Sequence, residues 1–67
     1  MELKLFVLKC ANGSGMQYLV VEANLDAAKG LLKKGMFNNR KVDLVEVKSF
    51  LAPKGITEPC YIGAFKP

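Results

Sequence analysis

Asn12 and Gly13 lie between two apolar runs near the start of the chain, and this pattern constrains the fold more than any other. Asn-Gly supplies the positive φ angles that tight hairpin turns require, so runs 2–10 and 16–23 are predicted to be paired antiparallel strands. Both alternating sets of residues in run 2–10 are apolar, which indicates a strand in the middle of a sheet. The intervening residues 11–15 predict a longer hairpin loop or a bulge.

A helix is predicted after the hairpin. Asn24 is its candidate N-cap, because the side-chain oxygen can accept a hydrogen bond from a free first-turn amide, and Asp26 suits the positive end of the helix dipole. Gly35 is predicted to end the helix in the left-handed conformation. Gly30, inside the helix, predicts close packing of the helix on the sheet. The apolar residues at helical spacing are Leu25, Ala28, Leu31 and Leu32.

Two further apolar runs, 41–51 and 60–65, predict a third and a fourth strand. Pro53, Gly55 and Pro59 mark residues 52–59 as a turn region, and Pro59 at the entrance of the last run predicts a strand at a sheet edge. The element order is then ββαββ. We therefore predict an α+β fold: one compact domain over 1–67, with a mainly antiparallel sheet of about four strands and one helix on one face.

The size of the chain limits its stability. The chain has 67 residues, about half of them apolar, and a core this small seldom supplies more than about 3–5 kcal/mol, so self-association would be a natural supplement. No apolar stretch reaches the roughly 20 residues of a membrane span, and the N-terminus lacks the features of a secretory signal. We expect a cytoplasmic protein without a membrane partner.

Cys10 and Cys60 lie in apolar runs, which favours buried free thiols; a disulfide that closes a long loop is the alternative. The chain has no histidine, so a zinc site and a cysteine nucleophile both lack their usual partners. The glycine-containing loop lacks the spacing of a phosphate-binding loop. We predict no catalytic residue, no metal, no cofactor and no small-molecule ligand.

The segment 27–42 holds half of the ten basic residues and no acidic residue. Such a patch could neutralise phosphates, and the net charge of +4 would steer the chain towards nucleic acid or another acidic partner. The alternative, which we favour, is a solvated helix end whose lysines complement the dipole. The candidate nucleic-acid-binding residues are Lys29, Lys33, Lys34, Phe37, Arg40 and Lys41.

Aromatic side chains beside a basic patch could stack on bases. Most of the six aromatic residues are predicted to belong to the core. Phe37 is the exception, because it lies in a polar connection, where its ring either plugs the core or faces a partner. We favour the plug.

With the hairpin before it, the stretch 23–28 (Ala-Asn-Leu-Asp-Ala-Ala) resembles the opening of small antitoxin-like domains over about half of the chain. The general character of the chain is similar to that of small proteins of bacteria, their phages and mobile elements. These resemblances rest on common fold elements and match no functional residues, so they imply no function.

Three functions of different classes follow. The first is a non-enzymatic protein-interaction module, as a homodimer that pairs through a sheet edge or face, because the first and third runs are apolar on both sides and one helix covers one face. The alternative is nucleic-acid binding through the basic helix end and the loop after it. The third, an enzyme, would need clustered carboxylates, or lysine or tyrosine as a base; sequence spacing alone places no such pair.

Overall fold

The computed structural model describes residues 2–11, 15–38 and 41–66. In these ranges the elements follow the predicted ββαββ order in one four-stranded antiparallel sheet with a helix packed on it, which confirms the fold class. Asn12 and Gly13, the predicted turn, lie outside the described residues. The elements are β1 (Lys4–Cys10), β2 (Gln17–Glu22), α1 (Leu25–Met36), β3 (Leu44–Leu51) and β4 (Cys60–Phe65).

The strand order is β3-β1-β2-β4, so the β1–β2 hairpin forms the centre of the sheet. Its register runs from Lys4 opposite Glu22 to Lys9 opposite Gln17. The central position predicted for the first strand is confirmed, and so is the edge position predicted for β4 from Pro59. The third strand begins at Leu44, three residues later than predicted, and it lies at the other edge.

The N-terminus of α1 forms as predicted. The Asn24 side-chain Oδ1 accepts a hydrogen bond from the Ala27 amide at 2.8 Å, and Asp26 lies in the first turn. This bond satisfies one of the amides that the first turn of a helix leaves without a partner.

The predicted C-terminus at Gly35 is wrong. The helix continues to Met36, and the Phe37 amide donates to the Lys33 carbonyl at 3.2 Å. Asn38, with φ at 50°, is the residue in the left-handed region. Asparagine tolerates this conformation because its short polar side chain can bond locally, so the helix does not need glycine at its end.

The packing role predicted for Gly30 is also wrong. Gly30 is exposed, and a Cβ added there would meet no atom within 4 Å. The helix contacts the sheet through other residues, chiefly Ala28 and Leu32, which are both buried. In the described ranges, no helix has both the length and the apolar character that crossing a membrane would require.

The core lies between α1 and the sheet face beneath it. Val7 and Val21 are buried too, but they alternate with the core residues of their strands and therefore face away from α1. The members of the core cluster are Phe6, Leu8, Val20, Ala28, Leu32 and Leu44.

The segment 52–59 joins β3 to β4, which lie at opposite edges, so it must cross the width of the sheet. The Ala52 amide donates to the Leu3 carbonyl at 3.4 Å, and this bond places the start of the crossing beside the beginning of β1. We attribute the complete burial of Val21 at that end to this segment, whose Ile56 is half-buried.

The two cysteines are free, as favoured from the sequence, but they are half-buried rather than buried. Cys10 ends β1 opposite Leu44, whereas Cys60 pairs with Val21 towards the other end of the sheet. The register separates them by about 16 Å along the strand direction at about 3.3 Å per residue, and disulfide-bonded Cα atoms lie within about 7 Å. The alternative of a disulfide within the chain is therefore wrong.

Gly30→Ala is expected to raise the free energy of unfolding by about 0.5–1 kcal/mol, because alanine favours an exposed helical position and fits there without contact. Gly55→Ala is the matched control: it has equal empty space, but φ is +93°, so the substitution is expected to cost about 1 kcal/mol or more. Urea unfolding of both variants measures the two changes. A Gly30→Ala variant that loses stability would show that glycine is required there.

Candidate interaction surfaces

The sheet face away from α1 carries a groove of about 450 Å³, here called the open-face groove. Phe50 of β3 and Phe65 of β4 line it and are 51% and 40% exposed, so it reaches from one edge strand to the other. Of the five other lining residues, three are apolar and two are polar. The other lining residues are Val7, Gln17, Leu19, Val47 and Lys48.

Gly63 of β4 leaves space on the open face beside Leu19. It pairs with Leu19, so any side chain at this position would stand beside Leu19 on the same face. A Cβ added there would meet no atom within 4 Å. A side chain at position 63 would therefore occupy surface next to Leu19, one of the residues that line the groove.

The large apolar side chains that the described residues expose are concentrated on the two edge strands. Met36 is the exception, at the end of α1. The prediction that most aromatic residues belong to the core is wrong for Phe50, Tyr61 and Phe65. The others in this exposed set are Leu51 and Ile62.

The two edge strands differ in charge. β3 carries Glu46 and Lys48, both exposed, and charged side chains on an edge oppose pairing with another chain. β4 contains no charged residue. The register shifts once in each edge pair, at Val47 in β3 and at Ile62 in β4, so bulges do not distinguish the edges, whereas charge does.

Phe37 has the role of a core plug, as favoured from the sequence. It is half-buried, packs against the core cluster, and meets Tyr18 edge to face with ring centroids 5.7 Å apart. Burial raises the pKa of Tyr18, and the negative charges of ionised Cys10 and Tyr61 raise it further. A smaller apolar cavity of about 130 Å³ lies nearby, between the last turns of α1 and Tyr61.

The basic candidate residues are only partly brought together. Lys29 and Lys33 are half-buried and four residues apart, so they share one side of α1, whereas the exposed Lys34 is rotated by about 100° from Lys33. Lys33 and Lys34 lie in the last turn, where positive charge favours the helix dipole. Lys41 is exposed, and Arg40 lies outside the described residues.

No metal-binding cluster occurs in the part of the chain that the structure describes, since no three His, Cys, Asp or Glu side chains there come together. The open-face groove was not predicted, because it depends on strand order and register. The signal for it in the sequence is the apolar character of the first and third runs on both alternations, with one helix to cover one face.

The Tyr61→Phe variant, in which Tyr18 is the remaining tyrosine, is expected to titrate with a midpoint above the usual value of about 10. Absorbance at 295 nm follows the phenolate. Because the folded state holds this proton more tightly than the unfolded chain, Tyr18 contributes stability that is fully present below about pH 10 and is lost as the pH rises further. A midpoint at or below 10 would contradict the raised pKa of Tyr18.

No protein-family model matches this chain. Comparison with curated proteins and comparison with solved structures likewise find no match. Its fold and its surfaces are therefore interpreted from its own residues.

Proposed function

We propose that this chain is a small non-enzymatic protein-interaction module that works as a homodimer, pairing through an edge or the open face of its sheet. The observation that carries the proposal is the concentration of exposed apolar side chains on the edge strands, with Phe50 and Phe65 at the two ends of the open-face groove. Aromatic side chains are enriched at the centres of protein interfaces, and contiguous exposed apolar surface marks such sites.

The energetics favour a second copy as the partner. Burying the exposed half of one phenylalanine ring contributes about 1 kcal/mol, and two-fold symmetry repeats every contact in a dimer. Pairing through the open face would bury four half-exposed rings from Phe50 and Phe65, whereas pairing along β4 would bury part of the two Phe65 rings; in both cases this burial would offset part of the cost of association. Pairing would also supplement a core that is small for an independent domain.

Sedimentation velocity at micromolar protein is expected to give a species of twice the 7.3 kDa monomer mass. The Phe50→Ser/Phe65→Ser variant is expected to raise the dissociation constant at least tenfold, because it removes the exposed rings. Met36→Ser is the control, since Met36 is comparably exposed but lies on α1. A wild-type chain that stays monomeric at every concentration would overturn the homodimer.

Nucleic-acid binding is the second candidate function. The observation that favours it is the pair Lys33 and Lys34 in the last turn of α1, with the exposed Lys41 a few residues further along an acid-free stretch. Lysines contribute affinity for phosphates without reading sequence. Phe37 packs against Tyr18 and the core, so this binding would be mainly electrostatic.

Labelled oligonucleotides measured by fluorescence anisotropy at about 50 and 200 mM salt test this candidate. We expect micromolar binding at the lower salt that falls steeply at the higher, and its loss in the Lys33→Glu/Lys34→Glu/Arg40→Glu variant. Lys54→Glu changes an exposed lysine outside the basic stretch and is the control. Anisotropy that does not rise with protein concentration at low salt would contradict nucleic-acid binding and would mean that the basic stretch is a solvated helix end.

A further inference from the structure

We propose that the second copy pairs along β4, so that the β4 strands of the two copies run antiparallel and the two sheets join into one. This inference rests on the proposed homodimer and names the surface that forms it. Among the described residues β4 has one strand neighbour, β2, so its outer edge presents backbone groups to a further strand. Addition of a strand to such an edge is a common mode of recognition.

The difference in charge between the two edge strands favours β4 over β3 as the strand that pairs with the second copy. In a pairing along β3, Glu46 and Lys48 would lie within the new ladder, whereas β4 brings only uncharged residues to it. Tyr61, Ile62 and Phe65 are each at least 40% exposed and would lose part of this exposure against the second copy. Pro59 has no amide hydrogen to donate, so it sets a boundary to pairing just before Cys60.

The charges at the two ends of β4 are complementary in the antiparallel arrangement. Glu58 precedes the strand and Lys66 follows it, and both are exposed. A two-fold axis normal to the sheet brings the beginning of one β4 beside the end of the other, so Glu58 of each copy faces Lys66 of its partner. A parallel arrangement would place like charges together and would not have this symmetry.

A charge exchange at these two positions tests the proposal. Glu58→Lys alone and Lys66→Glu alone are each expected to raise the dimer dissociation constant about tenfold at low salt, because each creates two like-charge contacts in the dimer. The double variant Glu58→Lys/Lys66→Glu is expected to restore the wild-type value. The single changes shift the net charge in opposite directions, so a shared weakening cannot arise from net charge. Sedimentation equilibrium measures all four proteins.

A matched pair of variants, one on each edge strand, distinguishes pairing along β4 from pairing along β3. Ile62→Lys puts a charge on the edge strand β4 and is expected to raise the dimer dissociation constant at least tenfold. Ser49→Lys puts a charge at an exposed position of β3 and is expected to leave the dissociation constant unchanged. Circular dichroism confirms that each variant is folded. Hydrogen exchange above and below the dissociation constant should show concentration-dependent protection in β4.

The outcomes distinguish this inference from the proposed function. A monomeric wild-type chain overturns both. In a third outcome the wild-type chain is a dimer, Ser49→Lys or Phe50→Ser weakens it, and the Glu58, Lys66 and Ile62 variants do not. This outcome would retain the homodimer but overturn pairing along β4, in favour of the β3 edge or the open face.

Discussion

The packing of a single helix on a four-stranded sheet is the interaction on which the rest of the structure depends. A helix is about 10 Å across, and neighbouring strands are about 4.8 Å apart, so one helix covers about two strands. Here α1 covers the centre of the sheet, where Leu8, Val20 and Leu32 are fully buried. The rings of Phe50 and Phe65 lie on the opposite face of the sheet, which α1 does not cover, and they remain exposed there.

The strand order determines what happens on the other face. Since β3 and β4 flank the central hairpin, their connection must cross the sheet, and it does so beside the beginning of β1. That end of the open face is covered at Val21, whereas the surface around Leu19 remains accessible as the open-face groove. The groove is therefore a consequence of topology: one short connection covers only one end of the face.

The sequence predicts the parts of the fold that local chemistry decides. Asn24 caps α1 because its side chain reaches the third amide after it, and Pro59, which cannot donate in a ladder, immediately precedes β4 at the sheet edge. The predicted helix end is wrong because Gly35 and Asn38 both tolerate left-handed geometry, and their local sequence does not show which of them adopts it. The groove could not be predicted, since sequence does not reveal which strands are neighbours.

The segment that crosses the sheet also affects the order in which the strands pair during folding. The β1–β2 hairpin closes over a few residues, whereas β4 pairs with β2 over distances along the chain as long as that from Gln17 to Phe65, and it needs β2 in place first. Loop closure of that length slows folding, so β4 is expected to dock last and to detach first. While it is detached, β2 takes the place of an edge strand and its outer backbone groups have no ladder partner. The connection that completes the sheet thus makes β4 the strand whose place depends most on distant parts of the chain.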